Sequence, residues 1–119
     1  MKENIIQQKS YAFAIKIINL YKYLVETKKE FILSKQLLRS GTSIGANIEE
    51  ALGGQSKKDF ISKLSIAYKE ARETKYWLSL IREAKYMKQE ELSLIFDDCE
   101  EILRIIGKIQ KTSKEGDLI

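Results

Sequence analysis

The chain has 119 residues, 44% apolar and 32% charged, a net charge of +4, one cysteine, no proline and no histidine. That length suits a single domain with a real core, and that balance excludes a disordered chain. The lone Cys99 excludes an intrachain disulfide, and no apolar run approaches the roughly 20 residues that a membrane-spanning helix needs.

Lys, Glu, Leu, Ile and Ala dominate, which favours an all-α protein. The first predicted helix covers about residues 5–26, with Asn4 as its N-cap. Its main seam is Ile6, Phe13, Ile17, Leu20 and Leu24. Tyr11, Ala14, Ile18, Tyr21 and Val25 lie beside it, so the apolar face is wider than one contact needs. Thr27, Lys28, Lys29 and Glu30 read as a short polar connection, which forces antiparallel neighbours. The second helix is predicted over 31–52, and Gly53-Gly54 is expected to end it in the left-handed conformation. Ser56 followed by Asp59 is an N-terminal capping pattern for a third helix over 57–86. Its seam is Phe60, Leu64, Ala67, Ala71, Leu78 and Ile81. A fourth helix over 90–111 carries Leu92, Ile95, Cys99, Ile102, Ile106 and Ile109. Gly107 marks close packing or fraying there, and residues 112–119 read as a mobile tail. Four helices with short connections predict one up-down-up-down antiparallel four-helix bundle over residues 1–119.

Residues 39–54, RSGTSIGANIEEALGG, differ from their flanks. Small and polar residues replace large ones, yet Leu37, Gly41, Ile44, Ile48 and Leu52 keep helical spacing. This is a helix thinned so that something can approach its backbone. Gly41, Gly45 and Ala46 would set that spacing, while Ser43, Asn47 and Glu50 would fix the neighbour and its register. The third helix carries a second apolar stripe of Ile66, Tyr76, Trp77, Leu80 and Ala84. Aromatic residues in such a stripe point to a subunit contact.

No constellation for catalysis, a metal or a cofactor emerges. Without histidine the commonest general base and the Ser-His and Cys-His pairs are missing. Glu49, Glu50, Glu70 and Glu73 do not share the predicted seams, so they read as solvated or ion-paired; Asp97, Asp98, Glu100 and Glu101 read as a solvated face. Burial on the seam should leave Cys99 inert. Gly41 to Gly45 lacks the ending of a phosphate loop, and no strand precedes it.

Charge is uneven: +3 over residues 1–30, zero over 31–55, +5 over 56–88 and −4 over 89–119. A basic body suits polyanion binding, and the acidic last helix equally suits pairing between helices. Lys28, Lys29, Arg39, Lys57, Lys58, Lys85 and Lys88 are the candidate phosphate contacts. The bundle topology places Lys28 and Lys29 near Lys85 and Lys88, with Lys57 and Lys58 at the far end. No hydrophobic segment follows a basic N-terminal one, so a cytoplasmic location is expected.

The sequence SIGANIEEA at 43–51 resembles the signature of the bacterial 23S rRNA-intervening sequence proteins, often labelled S23. Lys58, Asp59, Phe60 and Ile61 continue the likeness, as do Leu64, Ser65, Ile66 and Ala67 with Glu70, Ala71 and Glu73. The family commonly has Pro where this chain has Gly45, and often Gly where it has Ala51. The resemblance spans nearly the whole chain. It implies a left-handed four-helix bundle that assembles as a cyclic homo-oligomer, a pentamer. It also implies similarity to the accessory protein of diversity-generating retroelements, a basic pentameric barrel that binds nucleic acid and a reverse transcriptase. No enzymatic activity is established for the family. By the resemblance, Gly41, Ser43, Ile44, Gly45, Asn47, Ile48 and Glu50 are signature and packing positions rather than chemical ones.

Two readings follow. The first is a non-enzymatic homo-oligomeric bundle binding RNA or DNA through a basic surface. The second is a structural scaffold that displays a surface to a protein partner.

Overall fold

The computed structural model describes residues 4–116, with side chains to residue 114. It contains four helices: α1 (Ile5–Glu26), α2 (Leu33–Leu52), α3 (Lys57–Glu83) and α4 (Gln89–Gly116). Each packs on its neighbours in chain order, and α4 closes the ring against α1. The all-α four-helix bundle read from the sequence is the observed fold. Cross-helix pairs fix the antiparallel register: Gln7 with Glu49, Arg39 with Glu73, Glu50 with Lys63, and Lys75 with Glu100.

The core follows the predicted seams, except that Phe60, Ile95 and Ile109 are only half-buried at its margin and Ala51 rather than Leu52 is buried at the end of α2. Ile17, Leu24, Leu37, Ile44, Leu64, Ala67, Ala71, Leu78, Ile81, Cys99 and Ile106 are fully buried. Fully burying such aliphatic side chains contributes about 1.5–3 kcal/mol each. Two N-termini begin as their sequences suggest. Asn4 Oδ1 accepts from the Gln7 N–H at 3.0 Å, and Ser56 Oγ accepts from the Asp59 N–H at 3.0 Å. Each satisfies a donor that the helix itself leaves orphaned.

Four boundaries differ from the sequence reading, the first two for a local reason. The second helix starts at Leu33 instead of residue 31, because Glu30 is the capping group and not part of an open loop. Its side chain turns inward, and its two carboxylate oxygens accept from the N–H groups of Ile32, Leu33 and Ser34 at 3.3, 3.0 and 2.8 Å. Ser34 Oγ donates in return to the Glu30 carbonyl at 2.8 Å. The third helix stops at Glu83 rather than 86, because Lys85 adopts φ 59°. The Tyr86 N–H then reaches back to the Ile81 carbonyl and the Lys85 N–H to that of Arg82, a Schellman ending built on lysine. The fourth helix starts at Gln89 and runs on to Gly116, so residues 112–116 of the expected tail are helical; 117–119 lie outside the described residues.

The glycine expectation at the end of α2 is also corrected. Gly53 has φ −89°, and no glycine among the described residues has a positive φ. The left-handed positions belong instead to Lys29 and Lys85, with φ 55° and 59°, at the ends of α1 and α3.

Burial works to raise the Glu30 carboxyl pKa, but the hydrogen bonds from Leu33, Ser34 and Ile32 outweigh it and hold it below the ordinary 4.5. A carboxyl depressed on folding stabilises the fold above its unfolded pKa, and this contribution is lost as pH falls through the lower folded value. Replacing Glu30 by Ala is expected to cost about 1–2 kcal/mol in urea melts at pH 7, the range of a lost N-cap. The difference between the two proteins should shrink as pH drops below 4.5; a constant difference down to pH 2 would contradict the capping role of the ionised group.

Candidate functional site

The thinned stretch of α2 faces two neighbours. Toward α1, Gly41 is buried, and a Cβ placed there would stand 2.8 Å from Ile17 Cγ2 and 2.9 Å from Cγ1. Gly45 lies one turn on, where a Cβ would stand 3.4 Å from the Ser10 carbonyl oxygen. What approaches the α2 backbone is therefore α1 of the same chain. Ile44 and Ile48 point into the core at 0% and 1% exposure.

Toward α3, α2 presents polar groups. The buried hydroxyls of Ser40 and Thr74 share a hydrogen bond of 2.9 Å, and the Thr74 hydroxyl also lies 2.7 Å from the Glu70 carbonyl oxygen. Outside this pair, Arg39 reaches across to Glu70 at 3.0 Å and to Glu73, and Trp77 Nε1 donates to Glu73 at 2.9 Å. The Trp77 hydrogen bond is the leading cause that lowers the Glu73 pKa, with Arg39 adding to it against burial. The Glu73 hydrogen bond in turn raises that of Arg39. Glu50 pairs with Lys63 at 3.3 Å. Ser43 and Asn47 differ from the role read for them: Ser43 Oγ donates to the Arg39 carbonyl and Asn47 Nδ2 to the Ser43 carbonyl, both within α2. Of the three signature polar residues, Glu50 alone bridges helices among the described residues.

The acidic residues of α4 serve the same end. Lys9 pairs with Glu101 at 2.9 Å and Lys16 with Asp98 at 2.5 Å, across the seam with α1. Glu100 pairs with Lys75 of α3 at 3.3 Å. The expected solvated face is thus largely a set of inter-helix connectors. Each exposed pair adds little, about 0–1 kcal/mol, but together they fix the order of the helices.

The candidate phosphate contacts fall into three places. The antiparallel order puts Lys28 and Lys29 of the first connection at the same end as Lys85 and Lys88 of the third. That end is knitted by a groove shared by Tyr23 and Met87, and the Lys28 ammonium lies 5.9 Å from the Tyr23 ring centroid. Lys57 and Lys58 open α3 at the other end, about 30 Å away along α2. Arg39 belongs to neither end and is occupied by Glu70 and Glu73. The seven residues do not form one surface.

Of the second stripe on α3, Ile66 and Tyr76 are 39% and 57% exposed. Ala84 is exposed and Leu80 half-buried. Trp77 also packs on the core, with its ring edge-on to Tyr76 at 5.2 Å. Helical spacing places Ile66, Trp77, Leu80 and Ala84 on the flank next to α2.

One cationic surface escaped the sequence reading. An open groove of about 380 Å³ between α3 and α4 is walled by Arg72 and Lys75 on one side and by Arg104 on the other. Its signal in the sequence was the +5 balance of residues 56–88, but the α4 wall could be added only once the helix register was known.

Residues 2–108 of the chain match the family model of the 23S rRNA-intervening sequence proteins. The chain belongs to that family. A crystal structure from Bacteroides thetaiotaomicron VPI-5482, of a protein of unknown function from the S23 ribosomal protein family, superposes with a TM-score of 0.89 at 53% identity. The match covers 93% of this chain and 99% of that one. No curated protein matches the chain. This member of the family has no helix, among its described residues, long and apolar enough to cross a membrane.

Cys99 is buried, and burial pushes its thiol up to about 12, with Lys75 lowering it and Glu100 and Asp98 raising it. Its sulfur lies 3.4 Å from the Ala71 carbonyl oxygen. Native protein at pH 8 should therefore resist iodoacetamide, and the same protein in 6 M guanidinium should be alkylated at one site per chain, read by mass spectrometry. Rapid native labelling would contradict the buried, protonated thiol.

Proposed function

We propose that this chain is a non-enzymatic homo-oligomeric bundle that binds RNA or DNA through a basic surface. The observation carrying the reading is how charge is deployed. Glu50, Glu70, Glu73, Asp98, Glu100 and Glu101 are all spent on ion pairs between helices. Arg72 and Arg104 make no ion pair among the described residues. On a chain of net charge +4, these unneutralised arginines form a local positive surface, and such a surface attracts polyanions irrespective of sequence.

Assembly has separate support. Ile66 and Tyr76 join exposed Phe31 and Ile32, at 51% and 76%, as apolar groups presented to solvent by α3 and by the connection just before α2. A cyclic arrangement, and five copies, are what the family resemblance suggests. Each copy would repeat the basic surface, so that binding gains from multivalency. The scaffold reading draws on a different pair: Tyr11 and Ile15, one turn apart on α1, are 69% and 44% exposed.

The test combines light scattering with anisotropy titration of a labelled oligonucleotide at low and moderate salt. The wild-type protein should scatter as a multiple of its 13.8 kDa chain mass and bind most tightly at low salt. Replacing Ile66 and Tyr76 together by Lys should release monomers and weaken binding. These two are cleaner probes than Trp77, which also holds Glu73. A monomeric wild type would overturn the assembly; absence of binding at low salt would overturn the polyanion part.

A further inference from the structure

We propose that the outer groove between α3 and α4 seats a single nucleic-acid strand, with backbone phosphates on Arg72 and Arg104 and a base against Tyr68. This rests on the nucleic-acid reading above and says where the contact is made.

The groove brings together residues from distant parts of the chain. Tyr68, Arg72 and Lys75 follow one another at helical spacing along α3; Glu100, Arg104 and Gly107 do so along α4. Glu100 is the acidic residue of this lining, and Lys75 pairs with it at 3.3 Å. Lys75 also lies 5.7 Å from the Phe96 ring centroid. That leaves Arg72 and Arg104, both exposed, on opposite walls with no ion pair among the described residues. Guanidinium groups present paired donors that match phosphate oxygens, which point-charge lysines on short connections do not. Lys111, two turns after Arg104, continues the basic row for about 10 Å along α4.

The floor explains the choice of a strand. Gly107 contributes no side chain, and the Tyr68 ring edge would lie 3.8 Å from a Cβ placed there. A half-buried aromatic ring in a basic channel is the arrangement that holds single strands: phosphates along the walls, bases stacked on rings. Packed helices lie about 8–10 Å apart, so the channel between them takes one backbone, and a duplex would touch only its rims. The groove is also on the far side of α3 from the Arg39–Glu73–Trp77 cluster.

The experiment titrates full-length protein with a labelled 20-nucleotide single strand, as RNA and as DNA, and with the corresponding duplex. Arg72→Gln with Arg104→Gln should weaken strand binding about tenfold or more near 0.1 M salt. It should also reduce the slope of log affinity against log salt by about 1.4, two contacts at about 0.7 each. Tyr68→Leu, which keeps apolar bulk, should cost about fivefold. Gly107→Glu, whose Cβ would stand in ordinary contact 3.8 Å from the Tyr68 ring, puts a carboxylate on the floor and should weaken binding while the circular dichroism melt is unchanged or raised. A combined Lys28, Lys29, Lys85 and Lys88→Gln variant, which lowers the net charge but leaves both groove phosphate contacts in place, should weaken strand binding less than the double arginine variant does. Loss in that variant, with the groove variants binding like wild type, would overturn this site and leave the broader reading standing. A duplex preferred over the strand would overturn the strand assignment. Failure of the wild type to bind at low salt would overturn the reading on which the site rests.

Discussion

The bundle depends on one close approach, the contact of Gly41 on α2 with Ile17 on α1. Both residues are buried, and the isoleucine's branched carbons occupy the volume where any other residue would carry its Cβ. Glycine in a helix interior costs about 1 kcal/mol relative to alanine, so its presence here is offset by the packing that it allows. Once α1 is seated, Gln7 meets Glu49, and Ser10 lies over Gly45. The opposite flank of α2 is then left for α3. There Ser40 and Thr74 pair in the core, and Arg39 ties Glu70 and Glu73 at the rim. A buried hydroxyl pair is costly to leave half-made, about 1–3 kcal/mol, so it selects a register as well as adding stability. The stretch that the sequence marks as a helix thinned for a close approach is thus the spine of the fold.

That use of α2 has a consequence for the surface. Six carboxylates, Glu50, Glu70, Glu73, Asp98, Glu100 and Glu101, are drawn into the lines where helices meet, while Arg72 and Arg104 face outward without an ion pair among the described residues. Asp98, Glu100 and Glu101 of α4 hold α1 and α3 in place. Architecture and electrostatics come from the same residues. A functional reading that ignored the ion pairs would count Arg39 as an outward-facing cation and miss Arg72 and Arg104.

What the sequence disclosed follows from how local each feature is. The seams were legible because Phe13, Ile17, Leu20 and Leu24 repeat at helical spacing and are buried as that spacing requires. Asn4 and Ser56 were legible because side-chain caps act within three residues. Glu30 was not, since a carboxylate after two lysines reads as solvated until the chain folds back over it. Lys85 was not either, because nothing about lysine announces a left-handed backbone. The α3–α4 groove was illegible for a different reason. Its walls lie some thirty residues apart, and only the register marked by Lys75 with Glu100 brings them together. Ser43 and Asn47 show the converse: a recognisable pattern whose side chains, Ser43 bonding to Arg39 and Asn47 to Ser43, serve their own helix.

The central claim is that Gly41 is required by the approach of Ile17, and one measurement addresses it directly: the urea-unfolding free energy of Gly41→Ala, alone and with Ile17→Ala. Overpacking against Ile17 should make the single Gly41 variant less stable than wild type by about 1–3 kcal/mol. In the Ile17→Ala background the same change should be neutral or stabilising, because the obstructing carbons are gone and alanine is the better helix former. A wild-type background in which Gly41→Ala raises stability, as alanine does in an unobstructed helix, would contradict the account.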